Sequence, residues 1–173
     1  LNSPDTPIFH KGEVLYNFDK ARAAAHQNSR LIAVEGYVDV IAMARAGFAE
    51  AVAPLGTALT ENQLALLWRT VPEPILCFGD GAGLKAAYRA LDLALPLLAP
   101  GHSLRFAFLP EGKDPDDLLR AEGADAVKAV IAAAAPLADV LWNRALGEND
   151  RASPERKAAF ERDLKTLVGG IRD

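Results

Sequence analysis

Apolar residues in this chain fall into short runs that alternate with longer stretches of helical spacing. Leu31-Ile32-Ala33-Val34 is one such run, and it ends in a single carboxylate, Glu35, the pattern of a buried strand. Gly36 permits a sharp turn, and Val38, Ile41 and Ala42 then recur at helical spacing, which predicts a helix over 38–46. The cycle repeats. A second strand is predicted within Ala51–Ala53, followed by the loop Pro54-Leu55-Gly56-Thr57. Thr60 and Gln63 form a capping box for a helix over 61–69 whose stripe is Leu64, Leu66 and Leu67. Pro74–Phe78 reads as a third strand and breaks into Gly79-Asp80-Gly81-Ala82-Gly83. A helix over 84–98 follows, with Lys85 and Arg89 on one side. Leu104–Leu109 is a fourth strand, ending in the acidic turn Pro110-Glu111-Gly112-Lys113-Asp114-Pro115-Asp116-Asp117. Strands alternating with helices predict an α/β fold, a mostly parallel sheet with helices on both faces.

The flanks have a different character. Leu1-Asn2-Ser3-Pro4-Asp5-Thr6-Pro7 is turn-rich and lacks an initiating methionine, so the chain reads as an excised segment, with a helix expected over 13–25. After the acidic turn, an alanine-rich helix is expected over 125–135, stopped near Pro136, and another over 137–146. Residues 147–153 read as a polar linker, and Ser153 with Pro154 opens a last helix through Val168. Three parts result: a lead-in over 1–30, an α/β domain over 31–125 and a C-terminal helical annexe over 126–173.

Composition narrows the class. Half the residues are hydrophobic, enough for a sizeable core. A net charge of -4 argues against binding nucleic acid through overall charge, though not against a local basic groove. The single cysteine, Cys77, has apolar neighbours and excludes a disulfide framework or a cysteine-rich zinc site within the chain. No apolar span of membrane length and no signal peptide is evident, so a cytoplasmic protein is expected.

Acids stand at three predicted strand ends: Glu35, Asp80, and Asp114 with Asp116 and Asp117. In a parallel sheet those ends share one edge, where open α/β folds bind ligands. Carboxylates brought together repel unless a cation neutralises them, and Mg2+ favours oxygen ligands. The alternative is that each acid is a separate turn or cap residue, Glu35 capping its helix. His10 beside Lys11 reads either as a small phosphate-binding patch or as two solvated residues. Other apparatus is missing: the histidines His10, His26 and His102 show no ligand spacing. The glycines at 79, 81 and 83 form no complete dinucleotide fingerprint, because Leu84 stands where the third fingerprint glycine belongs.

Glu35-Gly36-Tyr37-Val38-Asp39, the loop Leu55-Gly56-Thr57, the glycine-rich turn at Asp80 and Asp114-Pro115-Asp116 together resemble the Toprim domain of bacterial replicative DNA primases. The lead-in through Phe9-His10-Lys11-Gly12 resembles the segment just before that domain in the same family. The resemblance implies that residues 31–125 are the Toprim domain and 1–30 a remnant of the preceding polymerase subdomain. It implies metal-dependent nucleotidyl transfer that makes short RNA primers on single-stranded DNA. Glu35 would be the general acid/base and, with Asp39, Asp80, Asp114 and Asp116, would bind or support Mg2+ or Mn2+. Lys11, Gly36, Tyr37, Gly56, Thr57 and Lys85 would face nucleotide or nucleic acid. Partners implied are template DNA, nucleoside triphosphates and, for the full-length protein, the replicative helicase. No zinc is expected in this segment.

One departure matters. The family turn reads Asp-Gly-Asp-x-x-Gly, whereas this chain reads Phe78-Gly79-Asp80-Gly81-Ala82-Gly83, so the first aspartate is absent and a residue is missing between Phe78 and Gly79. Much of the polymerase front half is missing too, so the chain alone is expected to show little primer synthesis. Two other readings stay open: a catalytically silent Toprim module that binds metal or nucleic acid, and another Toprim enzyme acting on DNA. The latter would need a cleavage tyrosine, and Tyr16, Tyr37 and Tyr88 lie in no recognisable cleavage context.

Overall fold

The computed structural model describes residues 6–7, 9–56, 58–79, 83–148, 154–169 and 171. Its strands are β1 (Leu15–Tyr16), β2 (Ile32–Ala33), β3 (Ala51–Pro54), β4 (Ile75–Phe78), β5 (Arg105–Phe108) and β6 (Ala135–Pro136). They form one sheet in the order β1-β3-β2-β4-β5-β6. The four inner strands run parallel, and β1 and β6 add antiparallel edges. This is the α/β architecture that the alternating pattern predicts.

Strand residues alternate between two cores, as period-two side-chain placement requires. Ala33, Val52, Leu76 and Phe106 face one core. There they meet α1 (Phe18–Asn28), α3 (Glu61–Thr70), α4 (Gly83–Ala94) and α7 (Leu137–Glu148). Ile32, Val34, Ile75, Cys77 and Ala107 face the other. There the helices are α2 (Tyr37–Arg45), α5 (Pro115–Glu122) and α6 (Ala124–Ala132). A last helix, α8 (Pro154–Val168), sets Phe160 edge-on to Trp142 of α7, with ring centroids 5.6 Å apart. The segment read as a helical annexe thus also supplies an edge strand and part of both cores.

Several boundaries differ from the pattern. The helix expected over 13–25 starts only at Phe18, because Asn17 adopts a left-handed conformation (φ 65°) and separates it from β1. Asn17 Nδ2 donates to the Ala51 carbonyl at 3.0 Å, which holds that turn to the start of β3. Lys11–Glu13 is a single 3-10 turn. The acidic turn after β5 contains the start of α5, with Asp114 as N-cap and Pro115 in the first turn. The helix expected over 125–135 stops at Ala132, since Ala135 and Pro136 pair with Phe106 and Arg105. The helix expected over 84–98 passes into a 3-10 turn at Leu95–Leu97, where Pro96 has no N–H to donate. Ser153, the expected cap of α8, lies outside the described residues.

At the far edge of the sheet, Glu50 is fully buried at the entry to β3. Its carboxylate meets the Arg30 guanidinium at 2.6 Å and accepts from Asn28 Nδ2 at 3.1 Å. Arg30 also lies 4.8 Å over the Phe48 ring, so its charge is held from two sides.

Candidate acidic active site

The chain leaving β2 goes to α2 on one face of the sheet, and the chain leaving β4 goes to α4 on the other. Neighbouring parallel strands whose connections part in this way leave a crevice beyond their carboxyl ends. Glu35 stands there. It follows Val34, whose N–H still bonds the Val52 carbonyl at 2.9 Å. Its Oε1 accepts the N–H of Gly79, the first residue past β4, at 3.0 Å.

Gly79 is also pressed against a third strand end. A Cβ at this position would lie 3.0 Å from the Lys113 carbonyl oxygen and 3.4 Å from the Asp114 Cα, both backbone atoms. A side chain here would have to push those backbone atoms back by a few tenths of an ångström. The turns after β2, β4 and β5 are therefore joined through one residue.

Asp39 sits in the first turn of α2, and its Oδ2 accepts the N–H of Gly36, the N-cap, at 2.9 Å. It is only 9% exposed. Burial pushes its carboxyl up to about 6, and the charges of Asp114, Glu35 and Asp116 push the same way against the Gly36 N–H. These four acids thus occupy one electrostatic neighbourhood. Asp114 is committed in part to its helix, its Oδ1 accepting from Asp117 N at 2.7 Å. Asp116 pairs with Arg120 one helical turn on.

Among the described residues, no three His, Cys, Asp or Glu side chains stand close enough to hold one ion. Asp80, expected as a ligand, and Thr57, expected to face nucleotide, lie outside the described residues. Gly56 adopts a φ of +137°, which favours glycine. Together with Glu35, Pro54, Phe78 and Arg89 it lines a cavity of about 290 Å³. Tyr37 is 57% exposed and meets Tyr16 edge-on, with ring centroids 6.2 Å apart. Lys11 lies in the 3-10 turn, where its carbonyl accepts from Gln63 Nε2 at 2.9 Å. Lys85 is exposed on α4. One cation and a main-chain donor escape the sequence reading, Arg120 on Asp116 and the Gly79 N–H, whereas Arg89, read beside Lys85 on its helix, lines the cavity. The Asp116-to-Arg120 spacing of four, on a helix capped by Asp114, is the signal that finds the first. The N–H depends on where the turn closes, and no residue type marks it.

Residues 29–108 match the Toprim domain family. The chain is 51% identical over 160 residues to the DNA primase of Pseudomonas aeruginosa, covering 91% of this chain and 24% of that protein. Residues 29–108 are thus a Toprim domain, and the chain is similar to part of the bacterial DNA primases. It is likewise 46% identical over 172 residues to the primase of Escherichia coli K12, covering 99% of this chain and 30% of that protein. A structure of the DnaG primase catalytic domain bound to ssDNA superposes with a TM-score of 0.90 at 41% identity, covering 99% of this chain and 56% of that one. A primase domain from Pseudomonas aeruginosa gives 0.90 at 47% identity, covering 99% and 54%. The chain thus spans about a quarter to a third of the length of the curated primases it matches.

Proposed function

We propose that this chain is the Toprim portion of a primase catalytic core, in which nucleoside triphosphates are joined into a short RNA primer on single-stranded DNA. The observation that carries the reading is the junction of Glu35, Gly79 and Asp114 at the crevice between β2 and β4, in a chain with this kinship. Glu35 serves as general acid/base for the hydroxyl that attacks a nucleotide, and the Gly79 N–H fixes one of its oxygens in place. Asp39, Asp80, Asp114 and Asp116 provide carboxylate oxygens that suit Mg2+ or Mn2+. Such oxygen donors suit a hard ion that keeps several of its waters. Such an ion, when bound, neutralises charge developing on the transferred phosphoryl group. Gly36 and Gly56 shape the backbone beside the crevice, while Thr57, Tyr37, Lys11 and Lys85 contact nucleotide or strand.

Template DNA, nucleoside triphosphates and a replicative helicase are the partners of the whole primase. A cytoplasmic location accords with this role, and among the described residues no helix is long and apolar enough to cross a membrane.

The spacing of the acids also favours a second reading, a Toprim module that binds nucleic acid without catalysis. A chimera in which this chain replaces the matching segment of the Pseudomonas aeruginosa primase separates the two. The active reading expects template-dependent primer synthesis in the presence of Mg2+, rising at least tenfold when an aspartate is inserted between Phe78 and Gly79. A chimera that binds single strands but makes no primer, with or without the inserted residue, establishes the silent module.

A further inference from the structure

A second hollow, of about 320 Å³, lies between α1 and α3 and is lined by Phe18, Arg22, His26, Leu66, Arg69 and Thr70. None of these residues belongs to the acidic crevice. Arg22, His26 and Arg69 are all exposed, so two guanidiniums and an imidazole from two helices open onto one space. The chain carries 23 acids against 19 lysines and arginines, yet neither Arg22 nor Arg69 pairs with a carboxylate among the described residues. Asp19, three residues before Arg22 on the same helix, is exposed and makes no ion pair with it. The Thr70 hydroxyl is turned back to the Leu66 carbonyl at 3.0 Å, which leaves the cations as the polar rim. Phe18 and Leu66 form a half-buried apolar floor, and the Arg22 guanidinium lies 6.0 Å over the Phe18 ring.

Like charges gathered without a counter-charge repel, and an anion in the hollow relieves that repulsion. A groove that pairs cations from two elements with an aromatic ring is the combination that tracks single-stranded nucleic acid. We propose that the α1–α3 hollow takes phosphates of a single-stranded nucleic acid, as a contact separate from the acidic crevice. The strand as ligand rests on the primase reading, but the contact itself involves none of the acids.

The test measures anisotropy of a labelled oligothymidylate against the full chain across a salt series, for the wild type and for R22Q/R69Q. Each single-strand phosphate contact contributes about 0.7 to the slope of log affinity against log salt. The double variant is expected to lose about 1.4 of that slope and at least tenfold in affinity at low salt, and R22K/R69K is expected to keep both. In the wild-type chain, amide NMR signals of Arg22 and Arg69 should shift on adding the oligomer, a readout that survives if a variant fails to fold. An unchanged slope in R22Q/R69Q, or unmoved signals, overturns the proposal. So does a double variant that loses binding of ATP or tripolyphosphate while holding the strand with its full slope, because the hollow then serves free nucleotide. Primer synthesis by the chimera does not enter this test, so either reading can fail alone.

Discussion

The carboxylate of Glu35 and the main-chain N–H of Gly79 meet at 3.0 Å across the boundary between β2 and β4. One side chain therefore has both a structural bond and a place in the crevice, and the two can be separated. Glu35→Gln retains an oxygen that accepts from Gly79, so thermal stability should stay within about 0.5 kcal/mol of the parent. On the proposed general acid/base role, primer synthesis by the chimera should fall by about a hundredfold or more. Glu35→Ala leaves the buried Gly79 N–H without its partner and should cost a further ~1–3 kcal/mol, read from urea melts of the two variants.

Asp39 makes the stability of the metal-free chain depend on pH. Its carboxyl titrates near 6 in the folded state, above the usual 3.8. Between those values the folded protein binds more protons than the unfolded one, so stability falls as pH rises through the window. Asp39→Asn keeps an oxygen for the Gly36 N–H and removes the charge. It should gain on the order of 1–3 kcal/mol at pH 7.5 and almost nothing at pH 3.5. Denaturant melts at the two pH values check this, and equal gains at both would show that the charge is not what burial penalises.

Gly79 tolerates little. A methyl group there would press on the Lys113 carbonyl and the Asp114 backbone, neither of which is a flexible side chain. Gly79→Ala should cost about 1–3 kcal/mol. It should also shift the amide signals of Lys113 and Asp114, which a merely local strain would leave in place.

How much of this was legible depends on how far apart the partners lie in the chain. β2, Glu35 and α2 follow one another, and Thr60 with Gln63 announces α3 within four residues, so local pattern finds them. β1 and β6 are each two residues long and exist only through pairing, Tyr16 with Ala53 and Pro136 with Arg105, so no run of alternation marks them. Pro136 even argues against a strand, although an edge tolerates it. The cap of α5 was visible as Asp114 before Pro115, but its acids read as a turn. At the site, sequence aligns the acids along an edge. It leaves open the bond from Glu35 to Gly79 and the burial of Asp39, because both depend on how three separate turns close on one another.

Arg30 guards a buried charge at the opposite end of the sheet from the acidic crevice. Glu50 is wholly buried, whereas the Arg30 side chain is 38% exposed, so water screens part of the pair. Arg30→Ala should destabilise the chain by about 2 kcal/mol, less than the 3–5 typical of a fully buried pair. Asn28 still donates to Glu50, so the buried charge keeps one partner. Chemical denaturation of the variant beside Arg30→Ala/Glu50→Gln gives the check, the double variant recovering part of the loss.

Divalent metal should change the fold little, since both cores are apolar and the acids lie at the strand ends. Circular dichroism melts with Mg2+ and with chelator should differ by only a few degrees, and unfolding on chelation would contradict a water-rich site.

Gln63 is fully buried, and its amide serves two parts of the chain at once. The oxygen accepts from Thr60 N, while the nitrogen donates to the carbonyls of Lys11 and Val14, some fifty positions earlier. Glutamate at 63 would keep the cap but set a negative charge against two carbonyl oxygens, loosening the strap that carries Lys11. A mutational survey scored on activity alone would then rank Gln63 beside Lys11, although its buried amide only ties that strap to the start of α3.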